Sequence, residues 1–246
     1  MYDFSEKVVV VTGAAKGLGY AMAQRFLDDG AKAVAILDLS ENTAKEAAAR
    51  LDPVGSRTLA LACDVSDREA VASAFNQIAS TLGPVDILIN NAGATRDGFA
   101  HKMDAETFEF VIDVNLNSAF YCTRQVIPAM RERGWGRVIF LSSTAASGNL
   151  GQSNYSAAKA GLIGLTNTLS MELGGKGITV NCVAPGLIDT DILKTVPESY
   201  LNALLAKNPA GRLGKPEEVA NLVAFLASDQ AAYINGECIK ICGGLR

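Results

Sequence analysis

The chain has 246 residues, of which 49% are hydrophobic and 20% charged, and its formal net charge is −4. This length and composition predict one α/β domain over residues 1–246, with a sizeable core. Because the charge is negative and no basic run is present, we expect no nucleic-acid partner. The polar, acidic N-terminus is unlike a signal peptide and the first apolar run has only strand length, so we expect a cytoplasmic protein with no membrane partner.

The histidine and cysteine content argues against a metal site. The single histidine, His101, excludes a multi-histidine site, and we expect no metal. Five cysteines are scattered along the chain, mostly beside apolar residues, and are typical of buried structural thiols. They are Cys63, Cys122, Cys182, Cys238 and Cys242.

Short β-branched runs alternate with longer helical patterns. The strand candidates are residues 7–12, 33–38, 58–63, 85–90, 137–142, 179–184 and 238–241. The helical patterns include residues 44–51, 68–82, 105–133, 156–173 and 216–227. Most strand candidates are continuous apolar runs, which is typical of strands covered by helices on both faces. The alternation therefore predicts a Rossmann-like three-layer sandwich with a doubly wound, seven-stranded parallel sheet.

The least regular stretch, residues 190–212, follows the sixth strand candidate and contains Pro197 and Pro209. Long insertions after a strand end often cover a ligand in open α/β sheets. We therefore expect a lid or binding loop here.

A glycine-rich turn follows the first strand candidate and leads into a helix. Its glycines, Gly13, Gly17 and Gly19, allow a tight turn and close approach of the backbone to a pyrophosphate. The N–H groups and positive dipole end of the helix would bind the phosphates. The spacing Gly-x3-Gly-x-Gly departs from Gly-x-Gly-x-x-Gly, but its position after the first strand predicts dinucleotide binding.

An acidic residue, Asp38, ends the second strand candidate. A carboxylate there can accept hydrogen bonds from the adenosine ribose and would repel a 2′-phosphate. Ser40 is the better candidate for capping the next helix. Lys16, in the glycine-rich turn, would instead attract that phosphate, but we expect NAD rather than NADP. Asp64, at the end of the third strand candidate, is expected either to face the adenine amine or to cap a helix.

Tyr155 and Lys159 are four residues apart in a predicted helix. Such residues lie on one face, about 5–6 Å apart at Cβ. An ammonium this close favours the phenolate, so the pattern predicts a lowered pKa for Tyr155. A tyrosine tuned in this way can pass a proton to or from an alcohol or a ketone.

Together these motifs make the chain resemble the short-chain dehydrogenase/reductase family along essentially its whole length. The matching segments are Thr12-Gly13-x3-Gly17-x-Gly19, Asn90-Asn91-Ala92-Gly93, and Pro185-Gly186 with Thr190. The family's catalytic tetrad matches, in order, Asn115, a serine at 142 or 143, Tyr155 and Lys159.

The resemblance implies a role for each member of the tetrad. Tyr155 would be the general acid in reduction and the base in oxidation, and Lys159 would lower its pKa and hold the nicotinamide ribose. The serine would hydrogen-bond the substrate oxygen, and Asn115 would anchor a water. The usual spacing to the tyrosine selects Ser142, whereas alignment of residues 136–143 on the family's strand selects Ser143.

The resemblance also implies a cofactor surface, which extends from the glycine-rich turn to the segment after the sixth strand. Its residues are Gly13, Lys16, Gly17, Leu18, Gly19, Asp38, Asp64, Val65, Asn91, Ala92, Gly93, Tyr155, Lys159, Pro185, Gly186, Ile188 and Thr190.

Residues 148–155 and 211–218 look most like 3-oxoacyl-[acyl-carrier-protein] reductases and acetoacetyl-CoA reductases. This implies a 3-oxoacyl or 3-hydroxyacyl thioester carried by coenzyme A or acyl carrier protein, with Arg133 and Lys176 where relatives receive the carrier. The fatty-acid reductases generally prefer NADPH, which conflicts with Asp38. An NAD-dependent dehydrogenase of a sugar alcohol, cyclic alcohol or hydroxysteroid is therefore the alternative. A non-catalytic dinucleotide-binding module and an isomerase or dehydratase are more remote.

Family members bury the helices equivalent to residues 105–133 and 156–173 in a four-helix subunit interface. Small residues in the second of these segments would let another helix approach closely. The resemblance therefore implies a homotetramer, with a dimer as the alternative and a second interface near residues 243–246.

Overall fold

The computed structural model describes residues 2–190 and 198–245, except for the side chains of residues 198–200 and 202. Residues 191–197, which belong to the stretch expected to form a lid, lie outside the described residues.

Seven parallel strands form one sheet in the order β3-β2-β1-β4-β5-β6-β7. The strands are β1 (Val8–Thr12), β2 (Ala33–Asp38), β3 (Thr58–Ala62), β4 (Ile87–Asn90), β5 (Gly136–Leu141), β6 (Ile178–Pro185) and β7 (Cys238–Ile241). All seven predicted strands are present, with ends shifted by at most two residues. Chain order reverses between β1 and β4, and in such sheets a ligand crevice opens beyond the carboxyl ends of the strands at this point.

The described residues form eight α-helices. They are α1 (Gly17–Asp28), α2 (Glu41–Leu51), α3 (Arg68–Thr81), α4 (Ala105–Ile112), α5 (Ser118–Arg133), α6 (Ser153–Leu173), α7 (Glu198–Leu205) and α8 (Pro216–Ala227). Within the described ranges, none of these helices combines the length and apolar character needed to cross a membrane.

Helices cover both faces of the sheet. Side chains of β1 alternate between two cores: Val9 and Val11 pack with α1, α2 and α8, whereas Val8 and Val10 pack with α3, α5 and α6. All of these valines are buried, as continuous apolar strands require when no sheet face meets water. The predicted three-layer α/β architecture is confirmed.

The helix predicted at 105–133 is not continuous. A π-helical turn, Asp113–Asn117, separates α4 from α5 and turns Asn115 into the interior. Such turns often occur at functional sites. The stretch expected to be irregular also contains a helix, α7. The N-terminus of α2 follows the prediction, because the Ser40 side chain accepts a hydrogen bond from the backbone N–H of Thr43.

Candidate active site

The turn between β1 and α1 has a shape that only glycine permits. Gly13 and Gly17 have φ values of 63° and 57°, in the region that other residues rarely adopt. A Cβ on Gly19 would lie 2.2 Å from the carbonyl oxygen of Gly13. The first turn of α1 carries no acidic residue, so its positive end is available to an anion. The turn therefore has the form of a phosphate cradle, with Lys16 exposed at its edge and Leu18 partly buried.

Asn91 fastens this turn to β4. Its side-chain Nδ2 donates to the carbonyl oxygens of Thr12 and Gly13, at 2.9 and 3.0 Å. In return, the Thr12 hydroxyl oxygen accepts from the backbone N–H groups of Asn91 and Ala92, both at 3.0 Å. These bonds fix the backbone of the turn, so Asn91 and Ala92 shape the cradle from the neighbouring strand.

Asp38 lies beside the same turn. One carboxylate oxygen accepts from the backbone N–H of Ala15 at 3.0 Å, and the other accepts from Leu39 at 2.9 Å. The side chain remains partly exposed. A negative charge is therefore held at the carboxyl end of β2, next to the cradle.

Asp64, in the segment after β3, does not have one of the two roles expected for it. Asp64 does not cap a helix, because its Oδ1 accepts from the backbone N–H and hydroxyl of Ser66, at 3.0 and 2.6 Å. Asp67 caps α3 instead. Asp64 is exposed, whereas the Val65 side chain packs in the core. The capping alternative for Asp64 is wrong.

Lys159 is buried beneath the start of α6. Its ammonium donates a 2.7 Å hydrogen bond to the carbonyl oxygen of Leu141 and lies 5.4 Å from the centre of the Tyr155 ring. Burial lowers the pKa of Lys159 to about 8. The lysine therefore gives up its proton more easily than an exposed lysine does, one helical turn from the tyrosine.

The pKa of Tyr155 is raised, contrary to the sequence expectation. Burial of the phenol is the main cause; the Ser143 side chain opposes it by hydrogen bonding, and the Asp97 carboxylate raises the pKa further. The expectation is wrong because it counted the ammonium of Lys159 but not desolvation. In the structure that ammonium is directed at Leu141 rather than at the phenol oxygen.

The two candidate serines point to different partners. The buried Ser142 donates its hydroxyl to the backbone carbonyl of Lys159 at 2.8 Å. Ser143 is partly exposed; its Oγ accepts from the backbone N–H of Ala145 at 3.1 Å, and its side chain interacts with the Tyr155 phenol. The structure thus brings Ser143, and not Ser142, to the tyrosine hydroxyl.

Among the described residues, the side-chain oxygen of Asn115 has no hydrogen-bond partner and lies on the side of Lys159. Its Nδ2 donates to the carbonyl oxygens of Ala94 and Val111, at 2.7 and 2.9 Å. Its buried Oδ1 has no hydrogen-bond partner among the described residues. A Cβ on Gly93 would lie 2.6 Å from that oxygen and 3.4 Å from Lys159 Nζ. Glycine at 93 therefore leaves room between the amide and the ammonium for a small polar group.

The segment after β6 forms the opposite side of the crevice. Gly186 donates its backbone N–H to the carbonyl of Ile241 at 3.0 Å, directly after Pro185 ends the strand. Ile188 is buried, whereas Thr190 stands across from Gly17, where an added Cβ would meet its methyl group at 3.8 Å. The glycine-rich turn and this segment therefore face each other.

A cavity of about 600 Å³ adjoins this pair of segments. Its lining includes Gly17 and Thr190, together with residues of α1 and α8. The lining residues do not include Tyr155 or Ser143, so the cavity extends the crevice away from the tyrosine. Within the described ranges, no group of three or more histidine, cysteine or acidic side chains is suited to hold a metal ion.

Sequence reasoning missed the loop that abuts Tyr155. Asp97 accepts two hydrogen bonds from Gln152 Nε2, at 3.1 and 3.0 Å. Nearby, Asn154 Nδ2 donates to the carbonyl of Arg96 at 2.9 Å. These bonds fasten the loop after Gly93 to the start of α6. The available signal was the polar run directly before Tyr155, which a helix start alone does not require.

The chain is similar to known proteins over nearly its whole length. The family model described as Enoyl-(Acyl carrier protein) reductase matches residues 13–246. The chain is similar to nodulation protein G of Azospirillum brasilense, with 44% identity over 98% of both chains.

Two further relatives have names that refer to acyl thioesters. The 3-oxoacyl-[acyl-carrier-protein] reductase FabG of Escherichia coli (strain K12) is 43% identical, over 99% of this chain and 98% of that protein. The (2S)-[(R)-hydroxy(phenyl)methyl]succinyl-CoA dehydrogenase subunit BbsD of Thauera aromatica is 40% identical, over 97% of this chain and 96% of that protein. The expected relationship is confirmed: the chain belongs to the short-chain dehydrogenase/reductase family.

Proposed function

We propose that the chain is an NAD(P)(H)-dependent oxidoreductase that interconverts a 3-oxoacyl and a 3-hydroxyacyl thioester. The observation that carries this proposal is the convergence of Ser143, Tyr155 and Lys159 at the carboxyl end of the sheet, beside a glycine cradle. The names of the relatives from E. coli and T. aromatica support the thioester as substrate class.

The residues around the crevice fit a nicotinamide dinucleotide. Gly13, Gly17 and Gly19 with the start of α1 would hold the pyrophosphate, and Asp38 would accept hydrogen bonds from the adenosine ribose. Lys159 would hold the nicotinamide ribose. The bound cofactor supplies the hydride, and the protein supplies position and proton.

Tyr155 and Ser143 act on the substrate oxygen. The raised pKa keeps the phenol protonated at neutral pH, so Tyr155 is prepared to donate its proton to a ketone oxygen. The hydroxyl of Ser143 donates a hydrogen bond to the same oxygen and stabilises its developing negative charge. In oxidation Tyr155 accepts the proton instead.

Lys159 and Asn115 return the proton to Tyr155. With a pKa of about 8, the ammonium gives up and regains a proton near neutral pH more readily than an ordinary lysine. The Oδ1 of Asn115, which has no partner in the described part of the chain, accepts a hydrogen bond from water in the space that Gly93 leaves. This water links Lys159 to solvent.

NAD(H) is our proposal for the cofactor, in preference to NADP(H). The carboxylate of Asp38 is held next to the cradle by the N–H of Ala15, where it repels a 2′-phosphate. Lys16 is exposed and is not paired with a carboxylate among the described residues. A flexible exposed cation offsets this repulsion less than a fixed one would.

Oxidation of a 3-hydroxyacyl thioester is the second candidate for the physiological direction. It is favoured by Asp38, since NAD commonly serves as an oxidant, and by the similarity to a CoA-thioester dehydrogenase. Both directions use the same side chains. Steady-state rates in the two directions, measured at equal concentrations of thioester, distinguish them.

The carrier of the acyl group is coenzyme A or acyl carrier protein. Arg133 donates to the carbonyl of Val85 at 2.7 Å and pairs with Asp86 at 3.1 Å, so part of its charge is already neutralised. Lys176 is exposed. Both residues precede strands, at the edge of the sheet opposite Tyr155. If they receive an acidic carrier protein, Lys176→Ala and Arg133→Ala raise KM for acyl carrier protein substrates but not for acyl-CoA.

A homotetramer is part of the same proposal. Exposed aromatic side chains on α4 and α5, Phe108 and Phe120, are 38% and 45% accessible. The family resemblance implies that these helices are buried between subunits. Sedimentation equilibrium gives the assembly mass, and a monomer over the micromolar range contradicts the proposal.

The proposed function is tested by initial rates of acetoacetyl-CoA reduction with NADH and, in parallel, with NADPH. We expect turnover that is faster with NADH. Turnover with NADPH alone overturns the cofactor proposal. No turnover of this or any longer 3-oxoacyl thioester, although NADH binds, overturns the proposed substrate class and leads to tests of other secondary alcohols.

A further inference from the structure

Two cysteines occupy neighbouring positions on adjacent strands. Cys182 on β6 is the register partner of Cys238 on β7. Register partners project from the same face of a sheet, and strands lie about 4.7–4.9 Å apart. This spacing falls within the range of about 4.4–6.8 Å between Cα atoms that a disulfide requires. Both residues contact the core on the α6 side of the sheet, as free thiols.

The two thiols differ in access to solvent. Cys182 is fully buried, whereas Cys238 is partly exposed on β7, the last strand of the sheet. The Cys182 thiol donates to the carbonyl oxygen of Val183 at 4.0 Å, and its interaction with the neighbouring Cys238 sulfur lowers the pKa of Cys238 and raises that of Cys182. Lys240 lowers the pKa of Cys238 further, and burial and Glu237 oppose these effects.

Lys159 contributes a further charge on the buried side. Its ammonium and the Cys182 sulfur lie close enough for each to affect the pKa of the other. The pair therefore combines an accessible sulfur that favours the thiolate with a buried thiol placed to react with it. The mechanism proposed for Tyr155 uses neither sulfur.

The other cysteines lack this combination. Burial raises the pKa of Cys63 to about 11 and also raises that of Cys122. Cys242 donates its thiol to the carbonyl oxygen of Leu245 at 3.4 Å and lies one residue beyond the end of β7.

We propose that Cys238 and Cys182 form a peroxide-reactive thiol pair, a modification site at which hydrogen peroxide produces a disulfide between β6 and β7. The thiolate of Cys238 attacks one peroxide oxygen and the O–O bond breaks. Hydroxide departs, and Cys238 becomes a sulfenic acid. The Cys182 sulfur then displaces the sulfenic oxygen, which leaves as water with the Cys182 proton. The hydroxide takes up the proton that Cys238 released on forming the thiolate, so one peroxide becomes two waters while the two sulfurs lose two electrons in total.

The cross-link is tested by peptide mapping of the reduced full-length chain after brief treatment with hydrogen peroxide. Remaining thiols are blocked with N-ethylmaleimide, and the protein is digested with trypsin without reduction. The sequence places Cys182 in residues 177–194, Cys238 in residues 213–240 and Cys242 in residues 241–246. We expect the first two peptides joined, two hydrogens lighter than their sum, and separated by dithiothreitol.

A second measurement tests the assigned roles. Iodoacetamide labelling of Cys238 in the untreated protein should have a pH midpoint below the ordinary cysteine value of about 8.5. In Cys182→Ala the midpoint should rise by at least one pH unit, because the Cys182 side chain no longer stabilises the Cys238 thiolate. In the control Cys242→Ser, both the cross-link and the midpoint should be unchanged.

The expected cross-link, together with the rise in the pH midpoint of Cys238 labelling in Cys182→Ala, supports the thiol pair. Absence of the cross-link in the wild-type protein overturns it, as does a disulfide that uses another cysteine or a midpoint unaffected by Cys182→Ala. The wild-type measurements do not depend on whether a variant folds.

Discussion

The hydroxyl of Ser142 donates a 2.8 Å hydrogen bond to the backbone carbonyl of Lys159. This bond ties the end of β5 to the first turns of α6, the helix that carries Tyr155. Successive side chains of an extended chain point in opposite directions, so Ser143 turns toward the crevice. The bond explains how two adjacent serines come to have different tasks.

Replacing each serine by alanine should separate these tasks. Ser143→Ala should lower kcat for acetoacetyl-CoA reduction about 100- to 1000-fold, the usual loss when one donor to a developing oxyanion is removed. Ser142→Ala should lower kcat only a few-fold and reduce the free energy of unfolding by about 1 kcal/mol, since one buried hydrogen bond is lost. Steady-state kinetics and urea denaturation give both quantities. A larger loss of kcat in Ser142→Ala contradicts the assignment.

Stability should depend on pH through Lys159. Burial lowers its pKa from 10.5 to about 8. Between these values the unfolded chain keeps a proton that the folded chain has released, so this group makes the free energy of unfolding rise with pH. Relative to Lys159→Met, the wild-type protein should gain about 3 kcal/mol between pH 8 and 10.5.

Urea denaturation at several pH values measures this difference. The exposed Lys102 supplies the control, because the difference between wild type and Lys102→Met should stay flat. The difference in free energy of unfolding between wild type and Lys159→Met should rise with pH. If this difference stays flat or falls, burial does not destabilise the charged form of Lys159.

The cradle should not tolerate a methyl group at Gly19. The added Cβ would lie 2.2 Å from the Gly13 carbonyl oxygen and 2.8 Å from Ala14 Cα. Gly19→Ala should therefore displace the turn and weaken NADH binding at least about tenfold. Isothermal titration calorimetry measures the affinity. Gly175→Ala is the matched control, because a Cβ added at Gly175 meets nothing within 4 Å. Equal NADH affinities of the Gly19→Ala and Gly175→Ala variants would contradict the role of the turn.

Asp38 should determine the choice of cofactor. Asp38→Asn keeps an oxygen that can accept from Ala15 but removes the negative charge. The ratio of kcat/KM for NADH to that for NADPH should fall about tenfold, because repulsion of the 2′-phosphate is lost. Asp64→Asn tests a second carboxylate, the one expected to face the adenine amine, and should leave the ratio unchanged, since the adenine is common to both cofactors. An unchanged ratio in Asp38→Asn removes the basis for preferring NAD.

The sheet was predictable because its strands bury both faces. An uninterrupted run such as Val8 to Val11 has few alternatives to a central strand. The break in the helix at 113–117 was not predictable, because this segment contains neither glycine nor proline. The π-helical turn depends on tertiary contacts, among them the bond from Asn115 to the carbonyl of Ala94.

At the site, the motifs predicted which residues are present but not how each is oriented. Sequence spacing could not tell whether Ser142 or Ser143 is the catalytic serine. Their different orientations depend on the hydrogen bond from Ser142 to α6, which spacing does not reveal. The pKa of Tyr155 was predicted with the wrong sign, because burial cannot be read from a four-residue spacing. The pairing of Cys182 with Cys238 requires the strand register, which joins residues far apart in the chain.

Transfer of deuterium tests the central claim most directly. The enzyme would be given acetoacetyl-CoA and NADH carrying deuterium at both C4 positions, and the 3-hydroxybutyryl-CoA formed would be analysed by mass spectrometry. We predict one deuterium at C3, formed at least about 100-fold more slowly by Tyr155→Phe while that variant still binds NADH. A product without deuterium, or equal rates for the two proteins, would contradict the account.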